Sequence, residues 1–141
     1  MTRIDFHTNI PDKVSYACRL ARKAYGAKAK LVLLAEDAAQ AAQLNDALWT
    51  LSDVDFLPHV LAGDPLEAVT PIIVTASDSA PTPHYDMLIN LTRRTPASFD
   101  RYARVFEIIS TDEDDAAEGR KRYVAYKKLA HPLTHFVAAK A

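Results

Sequence analysis

Six short apolar runs, each closed off by proline or a polar cluster, limit what this chain can fold into more than any other feature. They read "RIDF" near the N-terminus, then "KLVLLA" (Lys30 to Ala35), "DFLPHV" (Asp55 to Val60), "PIIVTA" (Pro71 to Ala76), "DMLINL" (Asp86 to Leu91) and "RVFEIIS" (Arg104 to Ser110). Apolar residues follow one another in these runs instead of alternating with polar ones, so each strand needs cover on both faces, as in a mostly parallel sheet between helices. The helices are legible too. Val14, Ala17, Cys18, Ala21 and Tyr25 recur at spacings of three and four between Pro11 and Ala27, and a stretch rich in Ala, Leu and Gln runs from Asp37 to about Leu51. For a third helix, Ser110 is the expected N-cap with Glu113 completing a capping box; Asp112, Asp114 and Asp115 load its positive end, Lys127 and Lys128 its negative end, and Pro132 stops it. The predicted architecture is α/β, a three-layer sandwich with an open, mostly parallel sheet, in one domain spanning 1–141. The link "SDSAPTPHY" is the expected mobile loop.

Composition removes several classes of function. With 17 basic and 18 acidic residues the net charge is -1, so no global field draws in nucleic acid or an anionic membrane, and any electrostatic recognition is local. The N-terminus lacks the apolar core of a signal peptide, and no apolar window is long enough to span a bilayer. The one cysteine, Cys18, excludes an internal disulfide, fits a cytoplasmic location, and lies in an apolar helical stripe as a small core residue. Gly26, Gly63 and Gly119 are too far apart to form a dinucleotide fingerprint or a P-loop. Of five histidines only His131 and His135 are close, and Pro132 spoils their shared helical face, so neither a metal nor a cofactor is expected. No nucleophile elbow is present. A small hydrolase acting on a nucleotide or phosphate ester, with Asp5 or Asp86 at the C-terminal edge of the sheet, stays open as an alternative.

The remaining chemistry lies in "GRKRYVAYKK", Gly119 to Lys128. On a helix Arg120, Tyr123 and Lys127 share one face, while Val124, Ala125 and Leu129 are expected to face the sheet. That basic and aromatic ridge reads either as a solvated helix end or as a recognition surface for an acidic peptide ending in an apolar residue, the guanidinium gripping a carboxylate beside an aromatic wall. Direct binding of single-stranded nucleic acid by the same ridge is a further alternative. Gly119 implies a bend in the helix or a close approach by a neighbour. Trp49 and Phe56 bracket a helix-to-strand connection and suit either core or interface.

Three segments, "LNDALWTLSDVDFLPHVLAG", "HYDMLINL" and "GRKRYVAYKK", in this order and at these distances, resemble the chi subunit of the bacterial DNA polymerase III holoenzyme, and the resemblance covers nearly the whole chain. It implies a Rossmann-like domain without a glycine-rich loop and without catalytic activity. The implied role is an adaptor that links the clamp loader, through the psi subunit, to the acidic C-terminal tail of single-stranded DNA-binding protein, so that DNA is contacted only through a partner. By the same resemblance Ile109, Arg120 and Tyr123 form the tail site, and Trp49 and Phe56 face psi or, in some relatives, a helicase-like repair protein. Two positions depart from the family pattern: Val124 stands where a lysine is frequent, and Ala116 where a basic residue sometimes occurs. Lys121, Arg122 and Lys127 are then the candidates to supply supporting charge.

Overall fold

The computed structural model describes residues 2–50, 57–77 and 82–138. Strands β1 (Arg3–Ile10), β2 (Leu31–Leu34), β3 (His59–Leu61), β4 (Ile72–Thr75), β5 (Met87–Asn90), β6 (Arg104–Ser110) and β7 (Leu133–Val137) form one sheet in the order β3-β4-β2-β5-β6-β1-β7. Every pairing in it is parallel, from Leu31 against Ile72 and Met87 near one edge to Ile4 against Val105 and Leu133 near the other. Helices α1 (Lys13–Gly26) and α2 (Ala38–Thr50) cover one face and α3 (Glu113–Lys128) the other.

The continuous apolar runs account for this layering. Leu31 and Leu33 point into the core beneath α1 and α2, and their neighbours Val32 and Leu34 into the core beneath α3, so each short strand needs an apolar residue at every position. The connections β1–α1–β2 and β2–α2–β3 step toward the β3 edge over one face. The connection β6–α3–β7 steps the opposite way over the other face, as right-handed crossovers require.

Several expectations need correction. The first strand extends well past "RIDF" to Ile10, and the third starts only at His59; residues 51–56 and 78–81, the latter within the expected mobile loop, lie outside the described residues. Strand β7 was not anticipated, because it is an edge strand exposed along most of its length and carries no buried apolar run. The cap of α3 is Asp112, whose carboxylate accepts the Asp115 N–H at 3.0 Å. Ser110 cannot serve, since it is still paired in β6 and its N–H already donates to the Asp115 carboxylate at 2.7 Å. The side of α3 facing the sheet is Asp115, Gly119, Arg122 and Tyr126, whereas Val124 and Leu129 are 50% and 56% exposed and Ala125 is also exposed. An apolar-periodicity argument misses that face because two of its four residues are charged and buried with partners. Cys18 is fully buried, and burial pushes its thiol up to about 11, as suits an inert core residue.

Candidate functional site

Where β1 and β6 end, the chain leaves β1 toward α1 on one face of the sheet and leaves β6 toward α3 on the other. The strands part there at a register shift between His7 and Ile10, and Asn9 takes the left-handed conformation (φ 62°), one that Asn tolerates better than most residues. The Asn9 amide donates to the Ala138 carbonyl at 3.1 Å and so ties this bulge to the segment after β7. Between the bulge and α3 lies a cleft of about 640 Å³.

Phe6 and Ile109 floor the cleft; Ala116, Gly119, Tyr123 and Val124 of α3 line one side, and Thr8 and His135, hydrogen-bonded at 2.8 Å, the other. Tyr123 is half-buried, edge-on to Phe6 with ring centroids 5.1 Å apart, so the pair holds its ring as a fixed wall. Arg120 is exposed at the rim. The structure thus brings Ile109, Arg120 and Tyr123 to one place, while Lys127 is exposed one turn beyond Tyr123 and does not line the cleft. Such a site can bury an apolar side chain and pair one carboxylate at its mouth.

Gly119 resolves to a close approach. A Cβ there would overlap Ile109 Cδ1 and lie 3.0 Å from Cγ1 and 3.2 Å from Cγ2. Gly119→Ala should gain about 1 kcal/mol in helix propensity yet lose about 1–3 kcal/mol to overpacking. The outcome expected in urea denaturation is net destabilisation, removed when Ile109→Val is added; a more stable single variant would contradict the contact.

Of the other expected cations, Arg122 is buried against Glu107 at 3.1 Å and Lys121 pairs with Glu118 at 3.0 Å, so neither supplies charge to the cleft. Both departures from the family pattern, Ala116 and Val124, fall on its α3 wall. The sequence offered no signal for Thr8 or Asn9, and it offered His135 only as a metal candidate.

The other candidates separate. Trp49 is 55% exposed at the end of α2, its ring 4.8 Å from that of His59 in edge strand β3, toward the opposite edge of the sheet from the cleft. Phe56 lies outside the described residues. Asp5 and Asp86 sit toward the N-terminal ends of β1 and β5, the wrong end for the crevice where folds of this type bind ligands, which corrects the placement in the hydrolase alternative. Asp5 is buried and held by Arg104 and Thr134, while Asp86 accepts the Lys30 N–H at 3.3 Å. At the C-terminal ends of the strands, where open α/β sheets bind ligands, a polar crevice of about 550 Å³ is lined by the protein's own ion pair, Lys13 to Asp115 at 2.8 Å. Among the described residues no group of three His, Cys, Asp or Glu is placed to hold a metal, and no helix is long and apolar enough to cross a membrane.

Comparison with known proteins bears on this arrangement. Residues 1–134 match the family described as DNA polymerase III chi subunit, HolC. The chain is 33% identical to DNA polymerase III subunit chi of Pseudomonas aeruginosa over 138 residues, covering 94% of each chain. It is 27% identical to the subunit of the same name from Haemophilus influenzae, over 76% of this chain and 74% of that one. With the Escherichia coli subunit it shares 24% identity, over 78% and 75%. A parallel α/β sheet, an apolar cleft on α3 and this match along nearly the whole length agree: the chain belongs to the DNA polymerase III chi subunit family.

Proposed function

We propose that this chain, acting as one domain in the cytoplasm, is a non-catalytic adaptor that links the clamp loader, through psi, to the acidic C-terminal tail of single-stranded DNA-binding protein. In this reading the cleft between α3 and the β1 bulge takes the tail. Its terminal phenylalanine enters over Ile109 between Tyr123 and His135, Arg120 pairs with a carboxylate, and Lys127 adds long-range attraction for the acidic residues upstream. Trp49, with Phe56, faces psi or a helicase-like repair protein at the other edge of the sheet. In this adaptor role DNA is reached through these partners.

The observation that carries this reading is the combination of an apolar cleft with a single arginine at its mouth. Neither half alone selects a peptide C-terminus. Burying one phenylalanine side chain contributes about 1.5–3 kcal/mol, and a hydrogen bond to a charged group about as much. A labelled acidic peptide ending in phenylalanine, titrated into the chain and followed by fluorescence anisotropy, should bind with Kd on the order of micromolar, near -8 kcal/mol. Arg120→Ala should weaken it roughly ten- to a hundredfold, removal of the terminal phenylalanine should do the same, and added salt should weaken it further. Undiminished binding to Arg120→Ala, or none to the folded wild type at low salt, would overturn the assignment of the cleft.

A further inference from the structure

Charge is divided unevenly along this nearly neutral chain. Residues 2–35 carry seven cations against two acids, and the rest of the chain ten against sixteen. That basic quarter forms β1, α1 and β2, and α1 lies on the face of the sheet away from α3.

On that face His7 is the centre of an aromatic cluster. Its Nδ1 is hydrogen-bonded to the Tyr16 hydroxyl, and the rings of Phe106 and Phe136 each stand 5.5 Å from its own. Cations surround the rings. The Arg104 guanidinium lies 4.5 Å over Phe106, and that of Arg19 lies 5.9 Å from the Tyr16 centroid. Burial pushes the His7 pKa down against the opposite pull of Asp5, and Arg104 and Lys23 add to the push of burial. The carboxylate within this group, Asp5, is only 3% exposed and is held by Thr134, Arg104 and Arg3, so it faces the protein rather than a ligand. Phe136 is different: it stands 54% exposed on edge strand β7.

We propose that this face, from α1 across β1 to the edge strand β7, binds single-stranded nucleic acid, with Arg3, Arg19, Lys23 and Arg104 on its phosphates and Phe136 beneath a base. The argument is complementarity of two kinds. A polyanion matches the cations, and a free base is what an exposed ring beside them can stack on, whereas an acidic peptide would leave that ring unused and a duplex hides its base faces. From Arg3 to the level of His7 and Phe136 is four residues of strand, about 13 Å, room for a short stretch of backbone. The inference goes beyond the adaptor reading, in which DNA is reached only through partners, and needs nothing from the cleft on α3; where a bound tail holds a strand nearby, a weak surface suffices.

The test is anisotropy of a labelled oligothymidylate with the full chain between about 50 and 200 mM salt, the range over which phosphate contacts lose most of their strength. Weak binding is expected, with log K falling against log salt at a slope near -3 for four contacts at about 0.7 each. Arg19→Ser/Lys23→Ser should flatten that slope by about 1.4, and Phe136→Ser should weaken binding about fivefold or more, the lower end of one base stack. Arg120→Ala, which changes only the other face, should leave oligonucleotide binding unchanged. Unfolding midpoints equal to the wild type's confirm that the variants are folded. Three results would overturn the proposal: no binding at the lowest salt, loss of binding with Arg120→Ala, or a labelled oligoglutamate competing on equal terms while Phe136→Ser has no effect. The last would mark the face as a docking surface for an acidic protein. Because the tail peptide is read by a separate titration, either assignment can fail while the other stands.

Discussion

Arg122→Met is expected to lower the free energy of unfolding by about 3–5 kcal/mol, the usual cost of leaving a buried charge without its partner. That is a large share of the roughly 5–15 kcal/mol that holds a domain folded. Glu107 is fully buried in the middle of β6 and accepts from Arg122 Nε at 3.1 Å, from the Tyr126 hydroxyl at 2.6 Å and from the Asn90 amide at 2.9 Å. Arg122 also donates to the Arg93 carbonyl at 2.8 Å, and Asn90 to the Arg94 carbonyl at 3.1 Å, so the same network seats α3 and fixes the loop after β5. Burial pushes the Glu107 carboxyl up from its ordinary value against the pull of Arg122, Tyr126 and Asn90. With Arg122 gone it should rise further. A carboxyl raised in the folded state contributes stability that is complete below its unfolded pKa, about 4.3, and is lost as pH rises through the folded one. The variant should therefore recover stability as pH falls from about 8 toward 5, more steeply than the wild type.

The outcome need not be the same when the whole network is replaced. Arg122 Nη2 finds no acceptor among the described residues, so the pair is imperfectly satisfied even when intact. Glu107→Leu/Arg122→Met/Tyr126→Phe removes the charges together with the hydroxyl that would otherwise lose its acceptor, and such replacements are often neutral or stabilising. Urea denaturation should place this triple variant closer to the wild type than Arg122→Met alone. A triple variant worse than the single one would mean that the network's polar contacts, not the avoidance of an orphaned charge, hold α3 in place.

This network also shows where sequence reading stops. Leu31 to Leu34 announce a doubly covered parallel strand because nothing but apolar burial explains four consecutive buried positions. Arg122 looks like one more member of "GRKRYVAYKK"; only the position of Glu107 across the core makes it a buried residue, and helical periodicity carries no information about a partner 15 residues away. The ridge was legible in part for the same reason. Arg120 and Tyr123 follow from spacing along one helix, whereas Thr8, Asn9 and His135 join the cleft through a bulge and an edge strand that no local pattern encodes. Gly119 fell between: its cost in a helix was readable, and the cause, Ile109 pressed against the helix backbone, was not.

Asp115→Ala should be almost as costly as Arg122→Met, about 3 kcal/mol at neutral pH, because it leaves the Ser110 N–H without its acceptor and the partly buried Lys13 ammonium without its counter-charge. The two ends of this pair respond differently. Burial works to raise the Asp115 pKa, yet Lys13 and the Ser110 N–H outweigh it and hold the carboxyl below its ordinary value. For Lys13 burial prevails, pulling its pKa down despite Asp115 and despite the hydrogen bond it donates to the Leu91 carbonyl at 3.0 Å. A carboxyl lowered in the folded state contributes stability that is present above its unfolded pKa, about 3.9, and is lost as pH falls through the folded one. The wild type should lose that contribution on acidification, while Asp115→Ala has none to lose. At the alkaline end the variant's Lys13, without its carboxylate, should shed its proton more readily than in the wild type. A lysine whose pKa is lowered on folding makes the protein more stable as pH rises toward its unfolded value, about 10.4. The stability gap between wild type and Asp115→Ala, measured by urea denaturation, should therefore be widest near neutrality and narrow in both directions. A gap that stays constant from about pH 3 to 10 would mean that Asp115 acts only as a neutral hydrogen-bond acceptor for the start of α3, and that the ion pair lining the crevice contributes nothing through its charge.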